Sequence, residues 1–314
     1  IEFNSAKDEV DGSSIKYNVY YQLSGEWDET DWQKNISLKG ITTAAGTVFD
    51  NSYTVTGLQN REKYTFGVRA EDQSGNEDTN TIISMATVTD KISPEWVETI
   101  GVLTGEDNGT GNSVNLEFGR AIDNVDGSDV KYNIYYALNN SWDAANWHNN
   151  SKLSSVTPVA GSTHPHAYTV SGLNNGETYT FGIRVEDQGG NEDNNTSSIE
   201  VTVSDKVPPV WNGAVGVASA TDTGNGSSMV VEFDTATDGI DGTAVKFNLF
   251  FAPSSSWDGA SWKNNNALLN VTTTAGSTYA NSYTVTGLNN GVAYTFGVRV
   301  EDQSGNEDGN TNTI

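Results

Sequence analysis

The 314-residue chain has no cysteine, six prolines, three histidines, and 16 lysines and arginines against 41 aspartates and glutamates. Each shortage excludes something. Without cysteine there is no disulfide, no thiolate metal site and no cysteine nucleophile. A formal charge of −25 repels phosphate backbones and anionic lipid, so nucleic acid and membrane surfaces are unsuitable partners. No apolar run approaches the roughly 18 residues of a spanning helix, and the first residues show no signal-peptide pattern, so no membrane insertion is expected of this segment. His148, His164 and His166 all lie in the middle third, which excludes a repeated Ser–His or His–metal site. The acids sit in Gly/Asn-rich stretches, not in the apolar clefts that tune a catalytic carboxyl. No phosphate-cradling Gly loop opens a helix. The chain is expected not to be an enzyme. What it does have is 35% hydrophobic and 10% aromatic residues, enough for several small cores.

Those residues repeat. Glu2-Phe3, Glu117-Phe118 and Glu232-Phe233 are spaced by 115 residues, as are Trp27, Trp142 and Trp257, and Tyr64, Tyr179 and Tyr294. No insertion or deletion interrupts the period. Within one period the signals are β: runs such as 130–136, 168–170 and 179–185 are short, β-branched or aromatic, and bounded by Gly, Asn and Asp. Helical periodicity never exceeds a turn or two. The expectation is an all-β chain of three tandem antiparallel sandwiches. Proline-bearing linkers at 90–94 and 205–209 set the boundaries at 1–90, 91–205 and 206–314.

The stretch 282–308 resembles the E–F–G region of fibronectin type III domains, especially tandem bacterial or archaeal-type ones of surface or extracellular proteins. Leu288 with Tyr294 matches the family's corner tyrosine, as do Leu58/Tyr64 and Leu173/Tyr179; residues 114–137 resemble strands B and C, and Pro208–Trp211 the Pro-rich start. Two departures stand out. Phe3, Phe118 or Phe233 replaces the usual strand-B Trp, and the C-to-E connection is long. On the family's strand plan the first module lacks strand A and the third lacks strand G. A longer array, or strand addition between copies in a polymer, would supply them.

Two groups of residues could form sites. The B–C loops carry a D-x-x-D-G pattern and the F–G loops an acidic G-N-E-D pattern. The family topology places both at one end of each sandwich, with linker Asp90 or Asp205 approaching. Their oxygens suit Ca²⁺. The leading candidate ligands are Asp123, Asp126, Asn191 and Asp193, with Asp11, Asn76 and Asp78, and Asp238, Asp241, Asn306 and Asp308, as equivalents. The second group is the tryptophan pairs Trp27/Trp32, Trp142/Trp147 and Trp257/Trp262. They would serve as a sugar-stacking platform or intermodule contact if exposed, and as a core lid if buried. The balance favours a core lid.

The resulting expectation is an extracellular or cell-surface structural array: a stalk, adhesin spacer or filament subunit, with calcium at its module junctions. Its partners would be further copies of the module, in cis or in a polymer, and surface glycans. The alternative is a carbohydrate-binding or accessory array of a larger secreted protein.

Overall fold

A computed structural model describes residues 1–314. The chain is all-β, with only single turns of 3₁₀ helix. It divides into two compact units. One contains residues 1–95 with 122–130 and 186–193; the other contains 96–121, 131–185 and 194–314. This division differs from the repeat boundaries because two loops of the middle repeat cluster with the first.

The middle repeat shows the strand plan most fully. Its strands are β1 (Val102–Asp107), β2 (Ser113–Phe118), β3 (Lys131–Leu138), β4 (Ser151–Val156), β5 (His166–Ser171), β6 (Thr178–Glu186) and β7 (Ser198–Thr202). They form two sheets, ordered β1–β2–β5 and β4–β3–β6–β7. Both are antiparallel in every register resolved, with Val114 opposite Val170 and Phe181 opposite Ile199. Alternation along the strands sends Val114, Leu116 and Phe118 of β2, Ile134 of β3, and Phe181, Ile183 and Val185 of β6 into the buried core.

The opposite face of β3–β6 is also covered. Tyr135 is fully buried, yet it packs on Trp147 at 5.8 Å between ring centroids, on the face away from Tyr132, Ile134 and Tyr136. Its neighbour Tyr136 stacks on Phe181 at 6.1 Å inside the sandwich. One residue of register separates the two faces.

The corner tyrosines close the turn before their strands. The Tyr179 hydroxyl accepts the Asn174 backbone N–H at 3.1 Å, Tyr64 accepts Gln59 at 3.2 Å, and Tyr294 accepts Asn289 at 3.1 Å. The linker tryptophans pack into the aromatic cluster beside the phenylalanine of each Glu-Phe pair. Trp211 packs on Phe233 and Phe247, and Trp96 lies 6.1 Å from Tyr132.

The glutamate of each Glu-Phe pair anchors the long C-to-E connection. Glu117 accepts the backbone N–H groups of Ser162 (2.6 Å), Thr163 (3.0 Å) and His164 (3.0 Å), and the Ser162 hydroxyl at 2.6 Å. Glu2 does the same with Thr47, Val48 and Phe49, and Glu232 with Ser277 and Thr278. Hydrogen bonds from Ser162, its hydroxyl first, hold the Glu117 carboxyl down at about 2.

Candidate metal centre

In the first compact unit, two Asp-built loops meet. The loop at 123–127 closes on itself: the Asp123 and Gly127 amides donate to each other's carbonyls, at 2.7 and 3.1 Å. Gly127, at φ 61°, occupies the left-handed turn position that the D-x-x-D-G pattern requires. Asp123 Oδ1 accepts from Val125 (2.7 Å) and Asp126 (2.9 Å), and Asp126 Oδ2 accepts the Gln188 N–H at 2.8 Å. In the second loop Asp187 takes the Asn191 backbone N–H on Oδ1 at 2.8 Å and its side-chain amide on Oδ2 at 2.6 Å. That amide also donates to the Asp90 carbonyl at 3.1 Å.

These bonds gather Asp90, Asp123 and Asp187, one carboxylate oxygen of each lying within 4.8 Å of the others. The second compact unit contains a counterpart in Asp205, Asp238 and Asp241. There Asp238 Oδ1 accepts from Ile240 and Asp241, Asp241 Oδ2 from Gln303, and Asp302 holds Asn306, whose amide donates to the Asp205 carbonyl at 3.0 Å. Asp123 and Asp205 are each only 6% exposed. Their Oδ2 atoms, and that of Asp90, are buried and accept no hydrogen bond. Burial pushes the Asp205 carboxyl up, and the charges of Asp238, Asp302 and Asp241 add to it.

Of the expected ligands, Asp123, Asp238 and Asp241 lie in these clusters. Asp126 lies beside one, with Oδ2 engaged by Gln188. Asn191 and Asn306 turn amide donors, not oxygens, toward the aspartates and the linker. Asp308 is occupied elsewhere: its oxygens take the Val300 N–H, the Asn310 amide and the Trp211 indole N–H. Asp193 is buried outside the cluster. In the first repeat Asp8, Asp11, Asp72 and Asn76 build the same scaffold, and Asp78 caps Asn80, but three acidic oxygens do not converge. Asp187 and Asp302 were missing from the expected set. The signal for them is the 115-residue recurrence of Asp-Gln with Asn four residues after the Asp.

The tryptophan pairs lie elsewhere. Trp32, Trp147 and Trp262 are 1–2% exposed. Each indole lies against a strand glycine: Gly67, Gly182 or Gly297. Each also lies beneath an arginine guanidinium, Arg69, Arg184 or Arg299, at 4.3–4.5 Å. Glycine and arginine are two apart on one strand, so both face the indole. Trp27, Trp142 and Trp257 meet their partners edge-on at 5.2–5.4 Å.

No protein-family model matches the chain. Exoglucanase B of Cellulomonas fimi is 27% identical over 270 residues, covering 84% of this chain and 21% of that protein, so the chain spans about a fifth of its relative's length. Among solved structures, a two-domain fibronectin type III segment of chicken tenascin is 16% identical. It covers 68% of this chain and 97% of its own, with a TM-score of 0.37. The FN1–FN3 domains of chicken CNTN1 are 12% identical, covering 95% and 87%, with a TM-score of 0.28. The chain is all-β, and the two-sheet strand order and the corner tyrosines of its modules are similar to those of fibronectin type III domains.

Proposed function

We propose that this chain is a non-catalytic array of an extracellular or cell-surface protein, in which fibronectin type III-like modules act as a spacer or stalk. Its partners in this role are further modules of the same kind, in cis or in a polymer. The observation that carries the reading is the burial of Trp32, Trp147 and Trp262. Indoles covered by glycine backbone and arginine offer no flat face for a sugar ring. A second reading, an accessory array of a larger secreted carbohydrate-degrading protein, is favoured by the likeness to Exoglucanase B.

Co-sedimentation with insoluble glucans, and tryptophan emission titrated with soluble ones, test the choice. The spacer reading expects no saturable binding, no emission shift and no glycoside hydrolysis. Saturable binding would favour the accessory reading, and hydrolysis would overturn both.

A further inference from the structure

We propose that Asp90, Asp123 and Asp187 form one Ca²⁺ site and Asp205, Asp238 and Asp241 a second, the first fastening the linker carboxylate to both loops of the following repeat and the second fastening it to the Asp238–Gly242 loop. A buried carboxylate oxygen with no donor is costly, and Asp123 and Asp205 each hold one within a cluster of further acids. Protein cations do not resolve the second cluster. Lys246 is committed to Glu301 and to the Asp302 carbonyl, and no lysine or arginine pairs with the carboxylates of Asp205, Asp238, Asp241 or Asp302.

The remaining scaffold holds these oxygens in position. Asp123 and Asp238 are each fixed through Oδ1 by two backbone N–H groups, which leaves Oδ2 as the outward ligand. Asn191 and Asn306 bind both the loop aspartate and the linker carbonyl, so the linker strand is set before an ion arrives. That is preorganisation of a first coordination sphere.

The ion is chosen by chemistry. An all-carboxylate set without nitrogen or sulfur favours a hard cation over zinc or copper. The oxygens of each cluster lie within 4.8 Å of one another, so a small closing movement of the loops brings all three onto an ion with bonds of about 2.3–2.6 Å. Mg²⁺, with bonds of about 2.1 Å, reaches oxygens no more than about 4.2 Å apart and keeps its waters.

The test uses the whole chain, stripped with chelator and titrated with Ca²⁺ by calorimetry, with Tb³⁺ luminescence as a second readout and melting followed by circular dichroism. Ca²⁺ should bind, raise the melting temperature by several degrees and displace Tb³⁺, with Mg²⁺ far less effective. Asp205→Asn and Asp123→Asn should each lose one of the two Ca²⁺ equivalents that the parent binds. Because each removes a like charge, the metal-free Asp205→Asn protein should melt no lower than the metal-free parent. Asp8→Asn in the first repeat should leave binding unchanged. The proposal is overturned if the stripped parent shows neither Ca²⁺ heat nor saturable Tb³⁺ luminescence. It is equally overturned if both variants bind as the parent does. The parent titration stands even if a variant fails to fold.

Discussion

Gly182 lies so close beneath the Trp147 indole that a β-carbon on it would stand 2.3 Å from a ring carbon. Gly67 and Gly297 stand in the same relation to Trp32 and Trp262. A strand interior ordinarily disfavours glycine, so its presence at the same point of three strands has a packing cause: only backbone fits under the ring. Gly182→Ala should therefore destabilise the chain by about 1–3 kcal/mol, the usual cost of overpacking. Urea unfolding with tryptophan emission measures it. A neutral result would mean that the indole does not rest on the strand.

The corner tyrosine predicts a smaller effect. Tyr179→Phe keeps the ring but leaves the Asn174 N–H without its acceptor. The expected loss is about 1 kcal/mol, read as a lower urea midpoint at unchanged slope. Tyr294→Phe should match it through Asn289. No loss in either would remove the role given to the hydroxyl.

Acid sensitivity follows from the glutamate anchors. Glu2 and Glu117 are held at about 2, and Glu232 is lowered for the same reason, whereas the ordinary value is 4.5. A depressed folded-state value gives stability that is complete above the unfolded value and lost as pH falls through the folded one. Melting temperature should thus hold above about pH 5 and fall between pH 4.5 and pH 2. Glu117→Gln should flatten that slope and lower stability at neutral pH. An unchanged slope in the variant would mean that Glu117 is not among the groups responsible.

Much of the sandwich was legible because its signals are local. Leu173 six residues before Tyr179, and the alternation along 179–185, each concern one strand and its adjoining turn. Tyr135 shows where that locality fails. Alternation places it on a face, but only the Trp147 turn across the sheet decides that this outer face is buried too. The aspartate clusters are less local again. Asp90 meets Asn191 across 101 residues, and no spacing rule reveals which oxygen of a loop is already used by its own backbone. The sequence therefore pointed to loops whose aspartates the fold brings together, but not to Asp187, whose place beside Asp90 and Asp123 only the fold shows.

The glutamate anchor leaves part of the module free for design. Glu117 grips peptide N–H groups, and the only side chain it uses is the first hydroxyl of the connection. The three copies accordingly read Thr-Val-Phe, Ser-Thr-His and Ser-Thr-Tyr at one backbone geometry. Residues two and three of this tripeptide are open to exchange, and the connection is a ready position for displaying foreign peptide sequences on the module. A library randomised at Thr163 and His164 should retain folding in most members, while the same library built on Glu117→Ala should lose it.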